Sequence, residues 1–279
     1  MKIIHSIYLV ISLGTLITAC GQHKVYTTPP GYDLNHPKKY IKSDALIEIS
    51  GIAFANNDSL FAIQDEEGLL FYGKVEDMKL QSVIFHKHGD YEDITILHNT
   101  VFILRSDGVI FSFPLANRVD NEVTDVKEWK GIVPEGEYEG LFADSTTGKI
   151  YMLCKSCPVD KKKGTVTGYV FNWNKDSLQQ TGNFFLNEKQ IQRLSDDNQR
   201  IKPSALAINP STKEWYILSS VNKALIVADS NWQIKAVYPL KPSHYLQPEG
   251  IAFDSKGNLY ISNEGDEDKH GNVLMIEKR

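Results

Sequence analysis

Glu48-Ile-Ser-Gly-Ile-Ala-Phe54, the polar turn Asn56-Asn-Asp58 and then Leu60-Phe-Ala-Ile63 form the stretch that decides the fold. Two short apolar runs flank turn formers, so the stretch reads as a strand pair. The pattern returns four times. Tyr91-Glu-Asp-Ile-Thr-Ile96 precedes Val101-Phe-Ile-Leu104, and Tyr138-Glu-Gly-Leu-Phe-Ala143 precedes Ile150-Tyr-Met-Leu153. Pro203-Ser-Ala-Leu-Ala-Ile208 precedes Trp215-Tyr-Ile-Leu218, and Pro248-Glu-Gly-Ile-Ala-Phe253 precedes Leu259-Tyr-Ile-Ser262. Ser50, Glu92, Glu139, Ser204 and Glu249 hold equivalent positions, in steps of 42, 47, 65 and 45 residues. A third strand follows in each unit, and a more polar fourth in most.

Four short strands recurring at this spacing predict an all-β protein, a β-propeller. Counting the five anchors predicts five blades, or six if the long step holds a degenerate one. That step contains the one convincing helix, near Asn187 to Arg200, with Asn187 placed to cap it. The fifth unit reaches Arg279 after only three strands. The segment Tyr40 to Ile49 is therefore expected to complete that blade and close the ring without an open edge.

Composition agrees with one large packed domain. The 279 residues are 42% hydrophobic and 23% charged, too apolar for a disordered chain. The net charge is -5 and no segment is strongly basic, so no nucleic-acid partner is expected. One apolar run, Ile7 to Ala19, follows Lys2 and has the length of a signal-peptide core. It ends Leu16-Ile-Thr-Ala-Cys20, which resembles a bacterial lipobox. The thiol of Cys20 would receive the lipid and become the acylated N-terminus. The expected organisation is a signal peptide over 1–19, a tether over 20–39 and one propeller over 40–279. The expected location is the cell envelope, outside the cytoplasm, with the membrane as partner through the lipid. Gly21 in place of an aspartate after the lipidated cysteine favours the outer membrane.

Two cysteines remain, Cys154 and Cys157. Outside the cytosol such a pair is expected to form a local disulfide. Free thiols, or redox or metal chemistry, are the alternatives. A zinc site needs two further ligands, and no second cysteine pair exists.

In a propeller the first strand of each blade lines the central channel, so the anchors should ring one mouth. Glu92, Glu139 and Glu249 are then candidate metal ligands, because converging carboxylates repel unless protonated or bridged by a cation. Hard oxygen donors suit calcium or magnesium. The plainer alternative is that each glutamate caps backbone amides or pairs with a lysine or arginine. Loops after the second strands emerge at the same face. They contribute Asp65, Arg105, Lys155, Asn263 and Glu264, which with Ser50 and Ser204 make the candidate ligand-binding set. Arg105 and Lys155 would bind an anion or neutralise the anchor carboxylates. Asp266-Glu-Asp268-Lys-His-Gly271 with Glu277 nearly spells an EF-hand loop. Residues 272–277 read as a strand, however, which carries Glu277 away from the others. No nucleophile elbow, phosphate loop or zincin motif is present.

The order of these motifs, from Ile-Ser-Gly-Ile-Ala-Phe54 through Tyr-Glu-Asp-Ile94 and Tyr-Glu-Gly-Leu141 to Pro-Glu-Gly-Ile-Ala-Phe-Asp254, resembles the SdiA-regulated propeller family. The resemblance covers about residues 45–279 and implies the propeller fold. It also implies kinship with gluconolactonase-type lactonases and phytase-like esterases. In the lactonases a glutamate and Asn/Asp residues hold one divalent cation. Glu139 or Glu249 and Asn263 match that set in part, but Ser50 stands where the first glutamate would be. The expected function is a lipid-anchored envelope module that binds a small polar ligand or an envelope protein, with calcium as its cofactor. The alternative is a divalent-cation-dependent hydrolase of lactone, ester or phosphoester.

Overall fold

The computed structural model describes residues 25–55, 58–161, 163–175, 177–195, 197–266 and 270–279. The expected signal peptide, Cys20 and Asp268 lie outside the described residues. The chain forms five antiparallel blades around one axis. Blade 1 is built on Ile49–Phe54, Leu60–Gln64, Leu69–Gly73 and Gln81–Ile84. Blade 2 runs Tyr91–Leu97, Thr100–Arg105, Ile110–Pro114 and Lys127–Trp129. Blade 3 runs Glu137–Asp144, Lys149–Ser156, Thr165–Asn174 and Ser177–Asn187. Blade 4 runs Ala205–Ile208, Trp215–Ser219, Ala224–Ala228 and Ile234–Pro239. Blade 5 takes Pro248–Phe253, Leu259–Asn263 and Asn272–Ile276 from the C-terminus and Lys38–Ile41 from the N-terminus.

Five apolar clusters fill the five blade–blade interfaces. Each strand alternates side chains to its two faces, and both faces of a blade are covered by neighbours. That explains the nearly unbroken apolar runs of the second and third strands, such as Trp215–Ser219 and Ala224–Ala228, which are buried throughout. Among the described residues the long third step holds no sixth blade. It is taken up by a hairpin with strands of 10 and 11 residues and by the helix Glu188–Ser195. Asn187 caps this helix, its Oδ1 accepting the Gln190 N–H at 3.1 Å.

The closing strand is shorter and earlier than expected. It pairs Lys38 with Met275 through Ile41 with Asn272, and Asp44–Leu46 then turns as a 3-10 helix. The expected tether also proves partly packed. Tyr32 and Leu34 are buried in the cluster between blades 4 and 5. The Tyr32 hydroxyl donates to Gly257 O at 2.8 Å, and the Tyr245 hydroxyl donates to Leu34 O at 2.9 Å. Two aromatic or aliphatic residues without a periodic neighbour give no strand signal, so the segment reads as linker.

A cross-link between blades 1 and 2 was not foreseen. The chain leaves the third strand of blade 2 and forms the small hairpin Arg118–Val119 and Glu122–Val123. Glu122 pairs in parallel with Ile84 on the outer strand of blade 1. The chain then returns as Lys127–Trp129 to finish blade 2. Strands of two residues are too short to show alternation.

Candidate functional site

Four of the five anchors sit at a bulge of their inner strand. The register slips between Tyr91 and Asp93, Tyr138 and Gly140, and Pro248 and Gly250, leaving Glu92, Glu139 and Glu249 as the extra residues. It slips likewise between Ile49 and Ile52, around Ser50 and Gly51. In blade 4 the Ser204 N–H bonds Leu218 O at 2.9 Å while Ala205 also opposes Leu218. A bulge re-aims the side chain of the extra residue. These bulges therefore separate Ser50, Glu92, Glu139 and Glu249 from the alternating pattern of their strands.

The inner strands approach closely just beyond these bulges. A Cβ on Gly51 would lie 2.5 Å from Asp93 Cα, and one on Gly250 would lie 2.6 Å from Ser50 O. At Gly140 it would meet the Leu206 Cδ2 methyl at 2.7 Å. Glycine follows the anchor in three blades because space is short, not because the backbone is left-handed.

The two anchor serines, expected at the ligand face, join blades instead. Ser50 Oγ donates to Tyr91 O at 2.7 Å, and Ser204 Oγ donates to Pro248 O at 2.8 Å. Both are buried, and each spends its one proton on the residue before the next anchor. Asp93, which sequence reasoning passed over, does similar work. Its fully buried carboxylate accepts the N–H groups of Ile94 at 2.8 Å and Leu141 at 2.7 Å. Burial holds this carboxyl well above the usual carboxylate range, against those two N–H groups. The available signal was an aspartate in the slot that glycine fills in blades 1, 3 and 5.

The glutamate anchors divide. Glu139 is buried and bound by Lys155 Nζ, which also reaches Glu137 at 3.4 Å. Lys155 lies inside the four-residue loop closed by the Cys154–Cys157 disulfide. The other acids face each other with less compensation. Burial first, then Asp90, pushes the Glu92 carboxyl up to about 9, with Glu249 and Asp65 adding to the rise and Lys155 opposing it. Glu264 is pushed up to about 8 by burial, then by Glu249, Asp65 and Glu48. Asp65 rises to about 6 through burial, Glu48 and Asp90. Burial also raises Glu249, against the Ser220 hydroxyl, Lys155 and Lys223. Lys223 is tied to Leu246 O, and burial lowers its ammonium.

Arg105 takes no part in this group. Its Nε and Nη2 bind the two carboxylate oxygens of Asp107 at 2.9 and 2.8 Å. Asn263 does belong to the mouth, on the strand end that opposes Pro248 and leads into Glu264. It is fully buried, its Nδ2 donates to Asn272 Oδ1 at 3.4 Å, and its own Oδ1 has no partner among the described residues. An unmatched buried acceptor costs about 1–3 kcal/mol, so this oxygen awaits a donor or a cation.

By donor type the mouth fits a hard cation: carboxylates and one orphan amide oxygen. The carboxylates are not yet gathered around a point. Among the described residues, three potential ligand atoms lie within 4.8 Å only at Cys154, Cys157 and Asp160. That trio is structural. The two sulfurs are bonded to each other, and Asp160 accepts from Thr167 N at 3.0 Å and Thr167 Oγ1 at 2.6 Å.

Solved structures with this architecture include glutaminyl cyclase from Myxococcus xanthus, at 13% identity and a TM-score of 0.57, covering 87% of this chain and 95% of that one. Regucalcin, a calcium-binding protein from Agrobacterium tumefaciens, aligns at 11% identity and 0.52, covering 89% and 95%. The nidogen/laminin complex aligns at 16% identity and 0.50, covering 77% and 72%. At such identities the likeness shows the fold alone. No curated protein matches the sequence. Among the described residues no helix is long and apolar enough to cross a membrane. With the motif order in place on the inner strands, the match of residues 26–266 shows that this chain belongs to the SdiA-regulated family.

Proposed function

We propose that this protein is a lipid-anchored binding module of the cell envelope whose channel mouth takes a divalent cation and, through it, a small polar ligand or partner protein. One observation carries the reading. Glu92, Glu249, Glu264 and Asp65 gather at one mouth, where burial first and neighbouring carboxylates second raise their carboxyls above the usual range. Glu92, Glu249 and the orphan Asn263 Oδ1 are the groups that would hold the ion. A bound divalent cation would supply the missing positive charge and an acceptor-matched contact for Asn263. Glu139 would stay with Lys155. The regucalcin neighbour makes calcium the ion to try first.

The test is a calorimetric calcium titration at pH 7 in two buffers of different ionisation heat. Protons held by Glu92 and Glu264 should be released on binding, so the apparent enthalpy should differ between buffers. Excess calcium should raise the melting temperature by mass action, and Glu249→Gln should remove most of that rise. Absence of both heat and melting shift would refute the reading. Calcium-dependent turnover of a lactone or phosphoester would replace it with the hydrolase.

A further inference from the structure

Val25 stands five residues after Cys20, and five residues span at most about 18 Å when fully extended. From Tyr26 onward the segment is held on the propeller. Asn35 Nδ2 donates to Tyr26 O at 2.8 Å, and Arg279 N–H donates to Gly31 O at 2.9 Å. Tyr32 and Leu34 are in the core. A lipid on Cys20 would therefore hold the domain close to the bilayer, and at a particular place.

That place is the rim of blade 4 on the mouth face. Val25 lines a cavity of about 400 Å³ with Leu194, Asn222, Lys223 and Pro239. Leu194 belongs to the segment joining blades 3 and 4. Asn222 and Lys223 follow the second strand of blade 4, and Pro239 ends its fourth strand. All three connections emerge at the mouth face, as do the loops bearing Asp65, Lys155 and Glu264. Three aliphatic side chains stand out from this rim. Val25 is 76% exposed, Val221 56% and Leu194 46%. Lys189, Arg193 and Lys202 are exposed on the same connection.

We propose that Val25, Leu194 and Val221 dock on the surface of a lipid bilayer, so that the channel mouth opens at the headgroup layer. The proposal rests on the lipid-anchor reading of Cys20. Short chain reach, aliphatic side chains and flanking cations are the elements of interfacial membrane contact. Ligands would then reach the acidic mouth along the membrane surface.

The experiment uses the full acylated protein in vesicles of phosphatidylethanolamine and phosphatidylglycerol. An environment-sensitive fluorophore is placed on Val221→Cys, or on Thr146→Cys in the turn at the far face. Reconstitution should raise emission at position 221 about threefold with a blue shift, and doxyl lipids should quench it. Position 146 should not respond. Adding Leu194→Asp should at least halve the response at 221 while the protein still floats with the vesicles. Water-like emission at both positions in floating protein would overturn the docking face and leave the anchor intact. Membrane association and palmitate labelling unchanged in Cys20→Ser would overturn the anchor and the proposal with it. An apolar environment at 221 in vesicle-free Cys20→Ser protein would mean that a second copy covers the rim, and would overturn the bilayer as occupant.

Discussion

Glu92 shows how a single residue reports on the mouth. Its carboxyl lies near 9 in the fold against an ordinary 4.5, chiefly because burial and then Asp90 disfavour the charged form. A carboxyl that holds its proton more tightly when folded favours the fold at low pH. That contribution is complete below about pH 4.5 and is lost as pH rises toward 9. Glu264 acts in the same direction up to about 8. The melting temperature should therefore fall between pH 5 and pH 9. Glu92→Gln removes the titrating group and keeps its shape. The variant should show a flatter profile and melt roughly 2–4 °C above the parent at pH 8, the shift expected for about 1 kcal/mol in a domain of this size. Thermal denaturation across this pH range decides it, and an unchanged slope in the variant would reject the cause assigned to Glu92. Glu139 offers the contrast, since Lys155 already supplies its countercharge.

At the scale of the element, the bulge with its following glycine is the repeated device. It frees the anchor from the pleat and lets neighbouring inner strands close on the axis. Gly51→Ala would press a methyl against the Asp93 backbone, where no flexible side chain can yield. The expected loss is about 1–3 kcal/mol in urea denaturation, as for overpacking elsewhere. Gly182→Ala, on the long hairpin of blade 3, has nothing within 4 Å of the new methyl and should change stability by less than about 1 kcal/mol. Equal losses at the two sites would mean that glycine serves backbone freedom and not space. The alternation of these strands was legible in the sequence, and so was the helix cap at Asn187. The bulges were not, because one extra residue leaves the apolar composition unchanged and alters only the direction of a side chain. For the same reason Ser50 and Ser204 could be matched to the glutamates by position but not assigned to blade–blade contacts.

For the whole molecule the decisive feature is closure between distant ends of the chain. Lys38–Ile41 pairs with Asn272–Ile276, and Tyr32 and Leu34 join the core beside blade 5. A protein starting at residue 25 should be as stable as the full chain in solution. One starting at residue 38 loses Tyr32 and Leu34, worth about 1.5–3 kcal/mol each when fully buried. One starting at residue 43 also bares the edge of blade 5, and the combined loss is a large part of a marginal total stability. Denaturant midpoints of the three proteins should fall in that order. A second protein as stable as the first would show that the N-terminal segment contributes no core.

Fold class and the positions of the anchors follow from the sequence alone, because they depend on short apolar runs and on spacing along the chain; five blades and not six was decided by the structure. That Glu92, Glu249, Asn263 and Glu264 come to one mouth was legible for the same reason. What each of these side chains contacts was decided by tertiary structure. Lys155 meets Glu139 while Arg105 turns to Asp107, Asp93 is buried in a slot that holds glycine in three other blades, and Tyr32 and Leu34 of the expected tether lie in the core. Charge matching, desolvation and close approach depend on distances between residues far apart in the chain, and only the closed ring of blades sets those distances.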